Sequence, residues 1–179
     1  LKVTLGDETS ATQILEDVLA NKDDPDSPYN SSTLQACAKT LDKLGRKDEA
    51  ENLLEEAADR AANDSDEMAG IYHQLNQGIS SEARQKANAF NKSGIKSYSD
   101  GDIEEAAREL RMAVPLTPRH ISLNLNLIQV LLKLDSMNKS TDNRAEIERY
   151  LHTVRHIPTH LYEYPRYQFL KAKFDKTDH

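Results

Sequence analysis

Tryptophan is absent from this 179-residue chain, and there is a single cysteine, Cys37. One thiol cannot form an internal disulfide, so no covalent cross-link within the chain supports the fold. Six glycines and six prolines are too few for a sandwich or barrel built from many tight turns. Long apolar runs are also missing. None approaches the roughly 20 residues that a bilayer-spanning helix needs, so the sequence carries no membrane span. No Gly-rich phosphate loop and no nucleophile-elbow pattern occurs, which removes two signatures of nucleotide binding and acyl transfer.

What is present is charge and helical periodicity. Charged residues make up 30% of the chain and hydrophobic residues 37%, a balance that suits amphipathic helices. The net charge of −7 is unevenly spread: residues 1–70 hold 17 acidic and 7 basic side chains, residues 71–179 hold 13 and 16. An acidic chain is a poor binder of nucleic acid, which requires Lys and Arg to neutralise phosphates. The sequons at Asn30, Asn63, Asn91 and Asn138 matter only in a secreted protein. One thiol and no signal peptide make a cytoplasmic protein the expectation. The chain starts at Leu1, not Met, and reads as a piece of a longer protein.

The chain also repeats itself. The stretch "TLQACAKTLDKLGRKDEAENLLEEAAD" can be slid onto "AFNKSGIKSYSDGDIEEAARELRMAVP" without a gap. Leu34 then falls on Phe90, Ala38 on Gly94, Gly45 on Gly101, Ala50 on Ala106, Leu54 on Leu110 and Ala57 on Ala113. Each segment reads as an amphipathic helix, a Gly-centred turn and a second amphipathic helix. Small residues recur where the two helices must approach closely.

This pattern resembles the tetratricopeptide repeat, whose period is about 34 residues. Over residues 87–120, Phe90, Gly94, Gly101, Ala106, Leu110, Ala113 and Pro118 stand where that family wants them. Ser93 and Ser97 depart from its Leu and Tyr. Residues 31–64 match more loosely, and Ala62 replaces the terminal Pro. A divergent third unit follows over 121–158, ending at Pro158 and lengthened at the turn "DSMNKSTDN". Residues 1–30 read as an N-terminal helix and linker, 65–86 as an inserted helix and linker, and 159–179 as a C-terminal capping helix. The resemblance implies an all-α array of helix-turn-helix units, an α-solenoid wound as a right-handed superhelix with flanking capping helices.

Three groups of residues invite a chemical reading. The carboxylates Asp100, Asp102, Glu104 and Glu105 lack the twelve-residue ligand spacing of an EF-hand. They read instead as a turn and helix start, with Asp102 as N-cap and Glu105 completing a capping box. His152 and His156 are four residues apart, a spacing that can begin a zinc site on one helix face, but two ligands do not complete one. Cys37 sits at a small-residue core position with no basic neighbour in sequence to activate it. No catalytic residue, metal or cofactor is expected, and the chain reads as a non-enzyme.

The resemblance implies a binding groove lined by the first helix of each unit, where a protein or peptide partner docks. Carried over position by position, the groove residues are Gln35 and Lys39, then Asn88, Asn91, Ile95 and Tyr98, then Ser122, Leu125, Asn126 and Gln129. The Lys, Asn and Arg set with which chaperone-type members clamp a peptide terminus is largely missing. The run from Ile71 to Leu132 is also similar to the C-terminal region of bacterial response regulators that place a receiver domain before a tetratricopeptide array. That resemblance implies a receiver upstream and a role as the output or scaffold part of a signal-transduction protein. Two alternatives stand beside it: a self-association module forming a homo-oligomer, and a metal-binding domain using His152 and His156.

Overall fold

Two glycines in the left-handed region mark the turns of the two aligned helix pairs. Gly45, with φ of 77°, separates helix α2 (Ser31–Lys43) from α3 (Lys47–Arg60). Gly101, with φ of 89°, separates α5 (Ser81–Asp100) from α6 (Ile103–Ala113). Only glycine adopts this conformation without strain. The same backbone bonds close both turns. The Arg46 N–H donates to the Leu41 carbonyl at 2.9 Å, and the Asp102 N–H to the Ser97 carbonyl at 2.9 Å. The slide that lays Gly45 on Gly101 also lays Leu41 on Ser97 and Arg46 on Asp102, so the two turns are the same turn made twice.

The computed structural model describes residues 8–21, 24, 28–61, 64–76, 78–137 and 143–176. Ala62 and most of the "DSMNKSTDN" turn lie outside them. The described residues hold the helices α1 (Glu8–Ala20), α4 (Ser65–Leu75), α7 (Ile121–Met137), α8 (Arg144–Thr153) and α9 (Tyr164–Asp175) besides the two pairs. They form no strand, so the fold is all-α. None of these helices is long and apolar enough to cross a membrane.

The chain divides into two compact units, residues 1–75 and residues 76–179. In the first, α1 to α4 enclose a core that includes Val18, Leu34, Leu41, Leu53, Ala57 and Ile71. Helix α4 starts at Ser65, directly after the 31–64 segment, where the first helix of a next unit belongs. It packs on both α2 and α3. The loop before α2 is tied down by side chains: Arg60 donates to the Tyr29 carbonyl, and the Tyr29 hydroxyl to the Asp17 carboxylate.

In the second unit, α5 and α6 touch at a point where no side chain fits. A Cβ on Gly94 would stand 2.8 Å from Leu110 Cγ and 3.3 Å from the Ala106 carbonyl oxygen. The missing methyl group lets the two helices close. Helix α7 then packs against α5 and α6 on one side and α8 and α9 on the other. A helix covered from both sides must be apolar around most of its circumference. Accordingly Leu123, Leu125, Leu127, Ile128 and Leu131 are all buried. The buried Asn124 is the polar exception. Its Nδ2 donates to the carbonyls of Pro118 at 2.7 Å and His120 at 3.0 Å, holding the segment after the 3₁₀ turn Val114–Leu116 against α7.

Asp100, Asp102 and Glu105 are engaged locally, but Glu105 does not complete a capping box: it pairs with Arg108, while the Asp102 N–H donates to the Ser97 carbonyl. Asp102 Oδ1 accepts from the Glu105 N–H at 3.1 Å, capping α6, while Asp100 pairs with Lys96 Nζ at 2.6 Å. The aligned position before α3 is Arg46, which makes no cap bond and instead pairs with Glu49 and with Glu16 of α1. The small residues and the first-turn acids recur between the two pairs, Asp48 with Glu104 and Glu49 with Glu105; the capping acid Asp102 does not.

Replacing the Asp102 cap with Ala is expected to cost about 1 kcal/mol in chemical denaturation, whereas Asp102→Asn is nearly neutral. Equal stability of the Ala variant and the parent contradicts the capping role. A second expectation concerns pH. Burial raises the carboxyl of Glu146, but the bonds from Arg111, at 2.6 and 3.0 Å, and from Tyr150 outweigh it and hold Glu146 below the usual range. A depressed folded-state value contributes stability above the unfolded-state value, and this is lost as pH falls through the folded one. Glu146→Gln should therefore lower Tm at pH 7, with the gap closing in acid below about pH 4. A pH-independent gap between the two proteins would sink this account.

Candidate functional site

Three first-helix residues of the second unit are joined in one chain of hydrogen bonds. Asn126 of α7 donates from Nδ2 to Asn91 Oδ1 of α5 at 2.8 Å. Arg166 of α9 donates from Nη2 to Asn126 Oδ1 at 2.8 Å, and also to Gln129 Oε1 at 2.9 Å. The two bonds on Asn126 fix which way its amide faces, oxygen towards α9 and nitrogen towards α5.

Beside this chain lies a pocket of about 180 Å³ lined by Gly94, Ile95, Tyr98, Leu110, Asn126, Gln129, Val130 and Arg166. The helical register explains its walls. Gly94 faces α6, so its neighbour Ile95 turns outward, and Tyr98, three residues further, returns to the stripe of Ile95. Ile95 is 46% exposed. Leu110 and Val130, both buried, reach the pocket from α6 and α7.

Arg166 is the charged member of the lining. Burial disfavours its charge and draws its pKa downward, and the nearby Tyr162, Glu163 and Tyr98 only partly offset this. Glu163 itself accepts from the Ser122 hydroxyl at 3.0 Å. Among the described residues no carboxylate forms an ion pair with Arg166, and its Nη1 and Nε have no protein acceptor and reach solvent.

The expected groove residues thus divide. Ile95, Tyr98, Asn126 and Gln129 meet in the pocket, and Asn91 joins them through Asn126. Asn88 and Lys39 are exposed, and Ser122 is half-buried. Leu125 is fully buried, because that side of α7 is covered by neighbouring helices, and it offers no surface to a ligand. Gln35, in the first unit, is stitched to α4: its Nε2 donates to Glu67 Oε1 at 3.3 Å and its Oε1 accepts from Gln74 at 3.1 Å. A Cβ on Gly70 of α4 would already touch the Gln35 side chain at 3.7 Å.

Arg166 was missed from sequence because residues 159–179 read as a cap. A signal for it existed. Asn126 stands eight residues after Pro118, and Arg166 stands eight residues after Pro158. Treated as another first helix, the last segment brings Arg166 into register with Asn126.

The residues that invite a chemical reading stand apart from this pocket. Helix α8 ends at Thr153, so His156 is not one helical turn beyond His152, and the Arg155 guanidinium lies 3.1 Å from His152 Nδ1. Among the described residues no group of three His, Cys, Asp or Glu side chains is placed to hold a metal ion. Cys37 packs against the first core, where burial pushes its thiol up and away from the reactive thiolate.

Residues 3–75 match the family model of the tetratricopeptide repeat. The match covers the region of α1 to α4, not the 87–120 segment whose residues fit the repeat pattern best. Together with the all-helical pairs of both units it supports a tetratricopeptide-like array, a class of fold that binds other proteins. No curated protein and no solved structure matches the chain.

Proposed function

We propose that this chain is a non-catalytic protein-interaction module, and that the pocket between α5, α7 and α9 receives an extended segment of a partner protein. The observation that carries this reading is convergence. Ile95, Tyr98, Asn126 and Gln129 are expected from repeat register to face a ligand, and the four line a single pocket. The tetratricopeptide match supports the class of function.

The lining suits a side chain of a peptide better than a reaction. Ile95, Tyr98 and Val130 offer apolar surface at the mouth and walls, and burying a side chain there is the main source of affinity. The amides of Asn126 and Gln129 are held by Arg166, so they orient without rearranging on binding. In keeping with the resemblance over Ile71 to Leu132, we also propose that the module is the output or scaffold part of a bacterial response regulator. Reading the gene upstream of Leu1 tests that part: absence of a receiver-like domain removes it and leaves the interaction module in place.

A displayed random peptide library selected on the chain tests the groove. Selected peptides should lose about tenfold or more in affinity on Ile95→Asp, a loss of about 1.4 kcal/mol. Met112→Asp, at an exposed position of α6, should leave affinity unchanged. Both variants should melt like the parent, since neither side chain is buried. Undiminished peptide binding by Ile95→Asp would place the working surface elsewhere.

A further inference from the structure

Arg166 combines three properties that are costly to keep together. It is half-buried, it lines an otherwise largely apolar pocket, and its described partners are two neutral amide oxygens. A half-buried guanidinium is well matched by a carboxylate, whose two oxygens fit its planar fork of donors. Here the amides of Asn126 and Gln129 occupy Nη2 and aim the group, while Nη1 and Nε keep their donors. The wider charge agrees: residues 76–179 carry 16 basic and 13 acidic side chains.

We infer that the pocket recognises an acidic side chain of the partner segment, with Arg166 taking its carboxylate. Its volume of about 180 Å³ leaves room for one side chain of this size. The methylenes of Glu lie along Ile95, Tyr98 and Val130, and the carboxylate meets the guanidinium. A free chain terminus would have to bring both its carboxylate and its last side chain into the same small space. The inference rests on the groove reading above and adds the chemistry of what enters it.

The test uses the whole chain and three blocked amino acids followed by NMR. N-acetylglutamate N-methylamide supplies the acidic side chain, N-acetylglutamine N-methylamide its neutral isostere, and N-acetylleucine a free terminal carboxylate. The expected result is that the glutamate probe shifts the Arg166 Nε–H and Ile95 amide signals and binds about fivefold more tightly than the glutamine probe, the factor a partly exposed ion pair supplies. The preference should shrink in 0.5 M salt and vanish in Arg166→Gln. Equal binding of the glutamate and glutamine probes to the parent chain overturns the inference without recourse to any variant, so instability of Arg166→Gln does not shelter it. Tighter binding of N-acetylleucine overturns it in favour of a chain terminus. Library peptides that need Ile95 but show no acidic preference remove this inference and leave the groove reading standing. A glutamate probe that binds where no library peptide does has the opposite effect.

Discussion

The closeness of paired helices is the constraint from which the rest of the second unit follows. At Gly94 the helices α5 and α6 approach until Leu110 fills the place of a side chain. Adding a methyl group there would force a buried leucine aside, the kind of overpacking that costs about 1–3 kcal/mol, partly offset by the better helix propensity of alanine. Because α5 lies so close, the residues next to Gly94 are carried to the surface at a defined angle. Ile95 and Tyr98 owe their place in the pocket to an absence one residue away.

A second consequence runs through α7. Covered from both sides, it commits most of its circumference to the core, and Leu125 is lost to the ligand for that reason. Only the narrow stripe of Asn126 and Gln129 reaches the pocket, with Val130 below it. Both of these polar positions are amides, which can be satisfied by a neighbour or a ligand without the penalty of an unpaired charge. The charge stands instead on α9, at the rim of the packed structure, where half-burial is tolerated.

How much of this could be read from sequence depended on whether a feature was local. The Gly45 and Gly101 turns were legible because left-handed backbone leaves a residue-type signature. Asp102 was legible for the same reason, as an acid at the start of a helix. The inward direction of Leu125 was not, since it depends on which neighbours cover α7. The fate of Gln35 was hidden by alignment. The two clear repeats are offset by more than one period, which masked that α4 stands where an intervening first helix belongs and packs alongside α2. Arg166 was hidden by its segment being treated as an end. The histidine pair shows the converse error, where a spacing of four suggests a shared helix face that α8 does not extend far enough to provide.

The linkage of Asn91, Asn126 and Arg166 bears on how substitutions at these positions combine. Asn126 is bonded on both sides, so its removal takes the donor from the Asn91 acceptor on α5 and leaves the Arg166 guanidinium on α9 with Gln129 alone. A change at Asn126 disturbs a bond that a change at Asn91 or at Arg166 also disturbs, so effects of those pairs overlap instead of adding. Natural exchange at one position is accordingly constrained by what stands at the other two. Across descendants of this chain the trio should drift as a set, so that its signature lies in covariation and not in the identity of any one residue.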